Sequence, residues 1–335
     1  MKKNIIILGT ILLFFLTACQ KELSDNFTVY TGDPRNDTIW TATTPSTAPI
    51  HQLAKQFFPD LIIDSFDCTT GDTLTLKDEI ELMIPAAACT DNSGALVTGK
   101  VDIEFFRLKK KGDYIKFFKP TTAGKYLLET AGGFFIRISK NGQELKLAPN
   151  ASITIRFRDS EDPKNNMQVF HARETIPFIS NGIDTAHTWV RHIDTSWIRT
   201  WQKTDPSNNA LLKGYELTTN QLRWIGANRY IDSTQAHTSI FAYLPQNFTN
   251  KNTVLYAVFV DHKIVVSLSP DARSKAFTAP QIPRGAKIKI LSFSRLGTDL
   301  YMGMRDINDV GTMNTYKIEP QKKSLTDILN VINNL

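Results

Sequence analysis

The side chains best suited to chemistry are few, and their spacings argue against most of the reactions they suggest. Asp184, His187, His192 and Asp194 fall close together, and His and carboxylate groups are ordinary zinc ligands. Their separations of three, five and two residues match no zinc pattern, so polar surface positions around Trp189 are the simpler reading. DINDVG opens with oxygen ligands at Asp306 and Asn308, as a calcium loop does, but Val310 takes a position that needs a ligand and Lys317 stands where a bidentate acid belongs. Glu79, Glu81, Asp102 and Glu104 are paired by strand alternation, which sets them on an exposed sheet face instead of on the two sides of a cleft where glycoside hydrolysis needs them. A nucleophilic enzyme needs a base held beside its Ser or Cys. The chain has no Gly-x-Ser-x-Gly step, and neither Cys68 nor Cys89 has a His nearby in sequence. These patterns predict a protein that is not an enzyme and carries no cofactor or metal, with a hydrolase site assembled in space as the alternative.

The third cysteine has a different context. Lys2 and Lys3 precede an apolar run from Ile5 to Leu16, and Thr17-Ala18 are small residues just before Cys19. This is the layout of a secretory signal peptide, shorter than the roughly 20 apolar residues a membrane-spanning helix needs. Leu16-Thr17-Ala18-Cys19 resembles the bacterial lipobox, in which cleavage falls before the Cys and its thiol and new amino group are acylated. The resemblance implies a membrane anchor through acyl chains on Cys19, several chains being needed for stable attachment. Gln20 follows the Cys, with no Asp at the position that retains lipoproteins in the inner membrane, so the implied address is the outer membrane. Lys21-Glu22 also resembles a short signal for export to the cell surface.

With 335 residues and 41% hydrophobic content, the chain can bury a large core and form two domains. Loss of residues 1–18 removes only Lys2 and Lys3, so the net charge of +6 becomes +4. That modest charge, spread thinly, excludes a nucleic-acid partner, and Lys109-Lys110-Lys111 reads as a solvated turn. Cys68 and Cys89 could pair in an oxidising compartment, or sit as two buried thiols on neighbouring strands.

Elements follow from periodicity. Residues 19–58 are polar and rich in Thr, Ser and Pro, which predicts a flexible tether ending in a short helix at HQLAKQFF. TLTLKDEIELMI alternates as a strand does, and VDIEF puts Val101, Ile103 and Phe105 on one face. In GGFFIRISKNGQELKL, Asn141-Gly142 supplies a tight hairpin turn, and ASITIRF puts Ile153, Ile155 and Phe157 on one face. Residues 161–214 read as an irregular, Trp-rich connection, and 215–335 as a second domain whose strand pairs meet at Asp261-His262 and Leu296-Gly297-Thr298. SLTDILNVINNL is a helix capped by Ser324, with Leu325, Ile328, Leu329 and Ile332 on one stripe for the second domain.

IELMIPAAACTDNSGALVTGKVDIEFFRL and the later KYLLETAGGFFIRISKNGQELKLAPNASITIRF resemble the ZU5-like β-sandwich, with its Ile-Pro-x-x-Ala step, as it occurs in bacterial lipoproteins. The resemblance spans about residues 59–160 and implies a fold more than an activity. Some ZU5-type domains cleave themselves at His-Phe-Ser, but Phe170-His171-Ala172 lacks the nucleophile. The expected fold is therefore all-β, with two sandwich-like domains in tandem. Trp189, Trp197, Trp201, Trp224 and Tyr230 crowd the expected junction, as interdomain packing or as a ligand platform. The expected role is a binding or interaction module of the cell envelope with a protein or glycan partner, or else a structural part of an outer-membrane complex.

Overall fold

The computed structural model describes residues 33–77, 79–159, 162–172, 187–193, 195–231 and 234–335. The apolar N-terminal run and Cys19 lie outside them, as do Asp184 and Asp194. Pro34–Asn36 is a single 3-10 turn, and residues 37–335 form one compact unit. The fold is all-β with three short helices, and no described helix is long and apolar enough to cross a membrane.

Two sheets make a sandwich. In the first, Ile62–Asp67, Lys100–Leu108, Tyr126–Lys140, Arg223–Tyr230, Gln168–Ala172 and Trp189–Arg191 lie side by side in that order. In the second the order is Trp197–Thr204, Leu211–Thr219, Ile153–Arg158, Ile80–Ile84 and Asp72–Leu76. Alternation decides which side chains meet between them. Val101, Ile103 and Phe105 of the first sheet face a core shared with Ile153, Ile155 and Phe157 of the second. The hairpin turn at Asn141-Gly142 has both residues at positive φ, 51° and 79°, as a two-residue turn that follows strand twist requires.

A third sheet of eight strands occupies the C-terminal half. Its corner is the strand Val265–Asp271. Val265 to Leu268 pair with Thr253–Phe259, and Ser269 to Asp271 pair with Ala276–Pro283, so the sheet folds over a core containing Ile240, Leu255 and Ile290.

Between these bodies lies another apolar cluster. Phe135, Phe170, Trp189 and Trp224 from the first sheet meet Tyr256, Leu291 and Phe293 from the third, and the helices Pro49–Phe57, Lys111–Lys116 and Leu325–Asn333 fill the space. The first sheet is thus covered on both faces, and its strand Tyr126–Lys140 is buried almost throughout, which accounts for the unbroken apolar run GGFFI.

Several expectations change. TLTLKDEIELMI is two antiparallel strands, Asp72–Leu76 and Ile80–Ile84, with Glu79 just before the second at a φ of 56°. Residues 161–214 are not an irregular connection where they are described: they supply the strands Gln168–Ala172, Trp189–Arg191 and Trp197–Thr204 to the sandwich. Leu211–Thr219 and Arg223–Tyr230 pair with Ile153–Arg158 and Tyr126–Lys140, so they also belong to the sandwich, and the third sheet starts at His237 and not at 215. The expected tether from 19 to 58 is folded from Asp37 onward. Asp37 is ion-paired with Lys251, Trp40 packs on Phe277 at 5.0 Å, and the Asn250 side chain bonds both backbone groups of Thr41.

The C-terminal helix has the expected cap, with Ser324 Oγ accepting the Asp327 N–H at 3.1 Å. Its stripe docks at the junction beside Lys111–Lys116, and Gly112 is the point of closest approach, since a Cβ there would collide with the Ile332 carbonyl. Gly112→Ala must push the helices apart, and overpacking of this kind typically costs about 1–3 kcal/mol. A melting temperature several degrees below wild type is the expected outcome, whereas Gly142→Ala strains only a turn in open space and leaves the junction intact.

Candidate functional site

The largest cleft among those described, about 880 Å³, opens where the first sheet meets the third. Its floor carries Glu129, the one acid within the apolar run of Tyr126–Lys140. A charged residue in such a strand is stable only if paired. Strand register puts Arg229 directly across from it, and the guanidinium donates two hydrogen bonds to Oε2 at 2.9 and 2.6 Å. A bulge follows immediately: Asn228 pairs with Thr130 and Ala227 with Gly132, leaving Ala131 as the extra residue. Lys164 Nζ lies 2.6 Å from Oε1, and its backbone is held by the Tyr215 hydroxyl.

The third partner comes from the other half of the fold. The turn between Thr253–Phe259 and Val265–Asp271 reaches over, docks by the Thr130 N–H to the Lys263 carbonyl at 3.2 Å, and places His262 Nδ1 3.0 Å from Glu129 Oε1. The Glu129 side chain is 1% exposed. Burial alone would raise its pKa, but hydrogen bonds from Lys164, His262 and Arg229 outweigh this and hold it at about 2. At neutral pH it is a fixed negative charge and has no proton to give. Around it the cleft is rimmed by Arg284 and Lys287, both exposed, with Asp261 3.4 Å from Lys287, and by the half-exposed ring of Tyr230.

A smaller cleft of about 270 Å³ shares Asp261 and His262 with the larger one and is lined by Arg107, Lys110, Lys111, Lys164 and Lys263. The lysine run is no solvated turn: Lys110 Nζ donates to the Asn333 carbonyl at 3.0 Å and Lys111 Nζ to the Phe259 carbonyl at 2.7 Å, clamping the halves together.

The aromatic set divides. Trp189 and Trp224 are fully buried at the junction, with Trp189 Nε1 donating to the Pro120 carbonyl at 3.0 Å. Trp197 and Trp201 lie elsewhere, on an outer strand of the second sheet, where the Trp197 ring stacks under Arg199 at 5.0 Å. Tyr230 borders the cleft, packed edge-on against Phe170 and Tyr126.

Cys68 and Cys89 are free, buried and adjacent, and burial followed by the hydrogen bond between the thiols pushes the Cys89 pKa up. Glu79 and Glu81 are not simply solvating: they pair with Arg158 and Arg156, in a ladder that continues to Glu216 and Arg199. His192 stacks edge-on against His171 at 4.7 Å, and burial first, then the His192 charge, lowers His171 to about 4. No cluster of three or more metal-ligating side chains occurs among the described residues.

No protein family, curated protein or solved structure matches this chain. Of the cleft residues, the sequence marks Tyr230 as a junction or ligand aromatic, but not Glu129, Arg229 or Arg284. The available signal was one acid inside a strand otherwise read as core.

Because Glu129 is depressed in the folded state, the unfolded chain binds more protons as pH falls, so its contribution is present above about pH 4.5 and disappears as pH falls toward 2. Over that range the loss is about 3 kcal/mol. Denaturant midpoints measured between pH 6 and 2.5 should fall more steeply for wild type than for Glu129→Gln, which starts lower because Lys164 and Arg229 then face a neutral amide.

Proposed function

We propose that this protein is a lipid-anchored module of a bacterial outer membrane that binds an acidic glycan in the cleft above Glu129. The cleft carries the proposal. Arg284 and Lys287 on its rim suit carboxylates or sulfates, Arg284 most of all because a guanidinium binds such groups in pairs of hydrogen bonds. Tyr230 offers an aromatic face of the kind on which a sugar ring packs. The volume of about 880 Å³ suits a short oligosaccharide. Glu129, locked in its ionised form, supports binding over hydrolysis, because a glycosidase acid must keep its proton near neutral pH.

The anchor rests on Lys2, Lys3, the apolar run and Leu16-Thr17-Ala18-Cys19, which favour acylation at Cys19. Between Cys19 and the folded unit at Asp37 the chain has a contour length of about 60 Å, enough to hold the unit clear of lipid headgroups. A ZU5-like sandwich is consistent with the paired sheets, and an outward-facing protein with the Lys21-Glu22 step.

Two measurements test the two parts separately. Oligogalacturonate should bind the purified protein saturably, and Arg284→Glu should weaken it at least tenfold; equal affinity in the variant, or no binding to wild type, removes the glycan reading. Cys19→Ala should shift the protein from membranes to the soluble fraction, and protease applied to intact cells should degrade residues 60–335 of the wild type. A variant that stays with membranes as a processed form removes the anchor.

A further inference from the structure

A second cavity, apart from the charged cleft, lies between the strands Thr253–Phe259 and Val265–Asp271 and the loop that leads from the Lys111–Lys116 helix into Tyr126–Lys140. The loop is fixed to the strand by Thr121, whose N–H donates to the Val265 carbonyl at 2.7 Å and whose Oγ1 accepts the Val265 N–H at 2.9 Å. The cavity measures about 280 Å³ and its walls include Phe118, Val254, Leu268 and Phe277.

One buried polar side chain in that wall has nothing to bond. His187 is 8% exposed, and neither of its ring nitrogens finds a hydrogen-bond partner. Tyr256, 2% exposed, lines the same cavity. Buried polar groups in folded proteins are bonded in the great majority, so an imidazole with both nitrogens unmet in the wall of a cavity marks a place where a partner is to be supplied from outside. Burial, reinforced by the charge of Lys119, holds His187 neutral, so its ring offers one donor and one acceptor. The other polar groups of the wall are uncharged, such as Thr122, Asn250 and Ser267, except for Lys125, which is exposed at the rim. Lys119, the buried cation that acts on His187, does not line the cavity, so an ion would lose its hydration there without a buried counter-charge in contact with it.

We propose that this cavity binds a small uncharged alcohol or phenol, whose hydroxyl supplies the partner that His187 lacks and also meets the Tyr256 hydroxyl in the same wall, and whose apolar body lies against Phe118, Val254 and Phe277. A hydroxyl both donates and accepts, which matches a phenol and a neutral imidazole together. The volume sets the upper size: it equals roughly nine waters at about 30 Å³ each, enough for one ring with a short substituent. This site is independent of the glycan cleft and of the anchor.

The probe is phenol, titrated into the folded protein while the imidazole signals of His187 are followed by NMR. Saturable binding is expected, with a shift of those signals, about tenfold weaker binding in Tyr256→Phe, and loss in Ser267→Phe, which fills the cavity from its strand. Benzoate, equal in shape but charged, should bind at least tenfold more weakly, and Arg284→Glu should leave phenol binding unchanged. The proposal fails if phenol does not saturate the wild type, if Tyr256→Phe binds it equally well, or if benzoate binds as tightly.

Discussion

Burial of the first sheet on both of its faces is the constraint from which the rest of the molecule follows. Along Tyr126–Lys140 adjacent residues point in opposite directions, so Phe134 and Ile136 enter the sandwich core while Phe135 enters the junction beside Trp224. A sheet with two apolar faces cannot end as a two-layer sandwich in water. It needs a further layer, and the third sheet with the helices provides it. Backbone bonds then fix the docking: Thr121, in the loop before that strand, bonds Val265, and Thr130 within the strand bonds Lys263. A protein with separately folded halves would need none of this.

The charged cleft is a by-product of that contact. Where the two bodies meet, strand ends and turns bring polar groups together at a seam that apolar packing cannot close. Glu129 collects partners from three parts of the chain, and each satisfies a lone pair that burial would otherwise leave unmet. The arrangement sets one carboxylate against the two cations Arg229 and Lys164, so positive charge is in excess inside as well as at the rim. The phenol-sized cavity is the opposite case, a space walled largely by apolar side chains in which one buried imidazole, that of His187, lacks a partner.

Local structure was largely legible from sequence, because it depends on neighbours. The alternation of Val101, Ile103 and Phe105, the turn at Asn141-Gly142 and the Ser324 cap all appear where residue types place them. What failed was pairing at a distance. Arg223–Tyr230 joins a strand about a hundred residues earlier, as the separation of Arg229 from Glu129 shows, and its own residues would fit either half equally well. Composition misled between Asp37 and Ala48 for a related reason: Thr, Ser and Pro read as a linker, yet the Thr41 backbone and the Thr44 hydroxyl bond to Asn250, a residue far along the chain. The site suffered most, since Glu129, Arg229, His262 and Arg284 are gathered only by tertiary structure.

The strap from Asp37 to Ala48 has a mechanical consequence. It is clipped to Lys251, Asn250 and Phe277 before the chain enters the helix Pro49–Phe57, so a pull on the N-terminal side is carried first by the C-terminal half. The load then reaches the sandwich through the junction, where helices and backbone bonds from both halves share it. Tension at the leading end of the chain thus draws first on parts encoded more than two hundred residues later, as the separation of Asp37 from Lys251 shows, and the sandwich nearest in sequence meets it second.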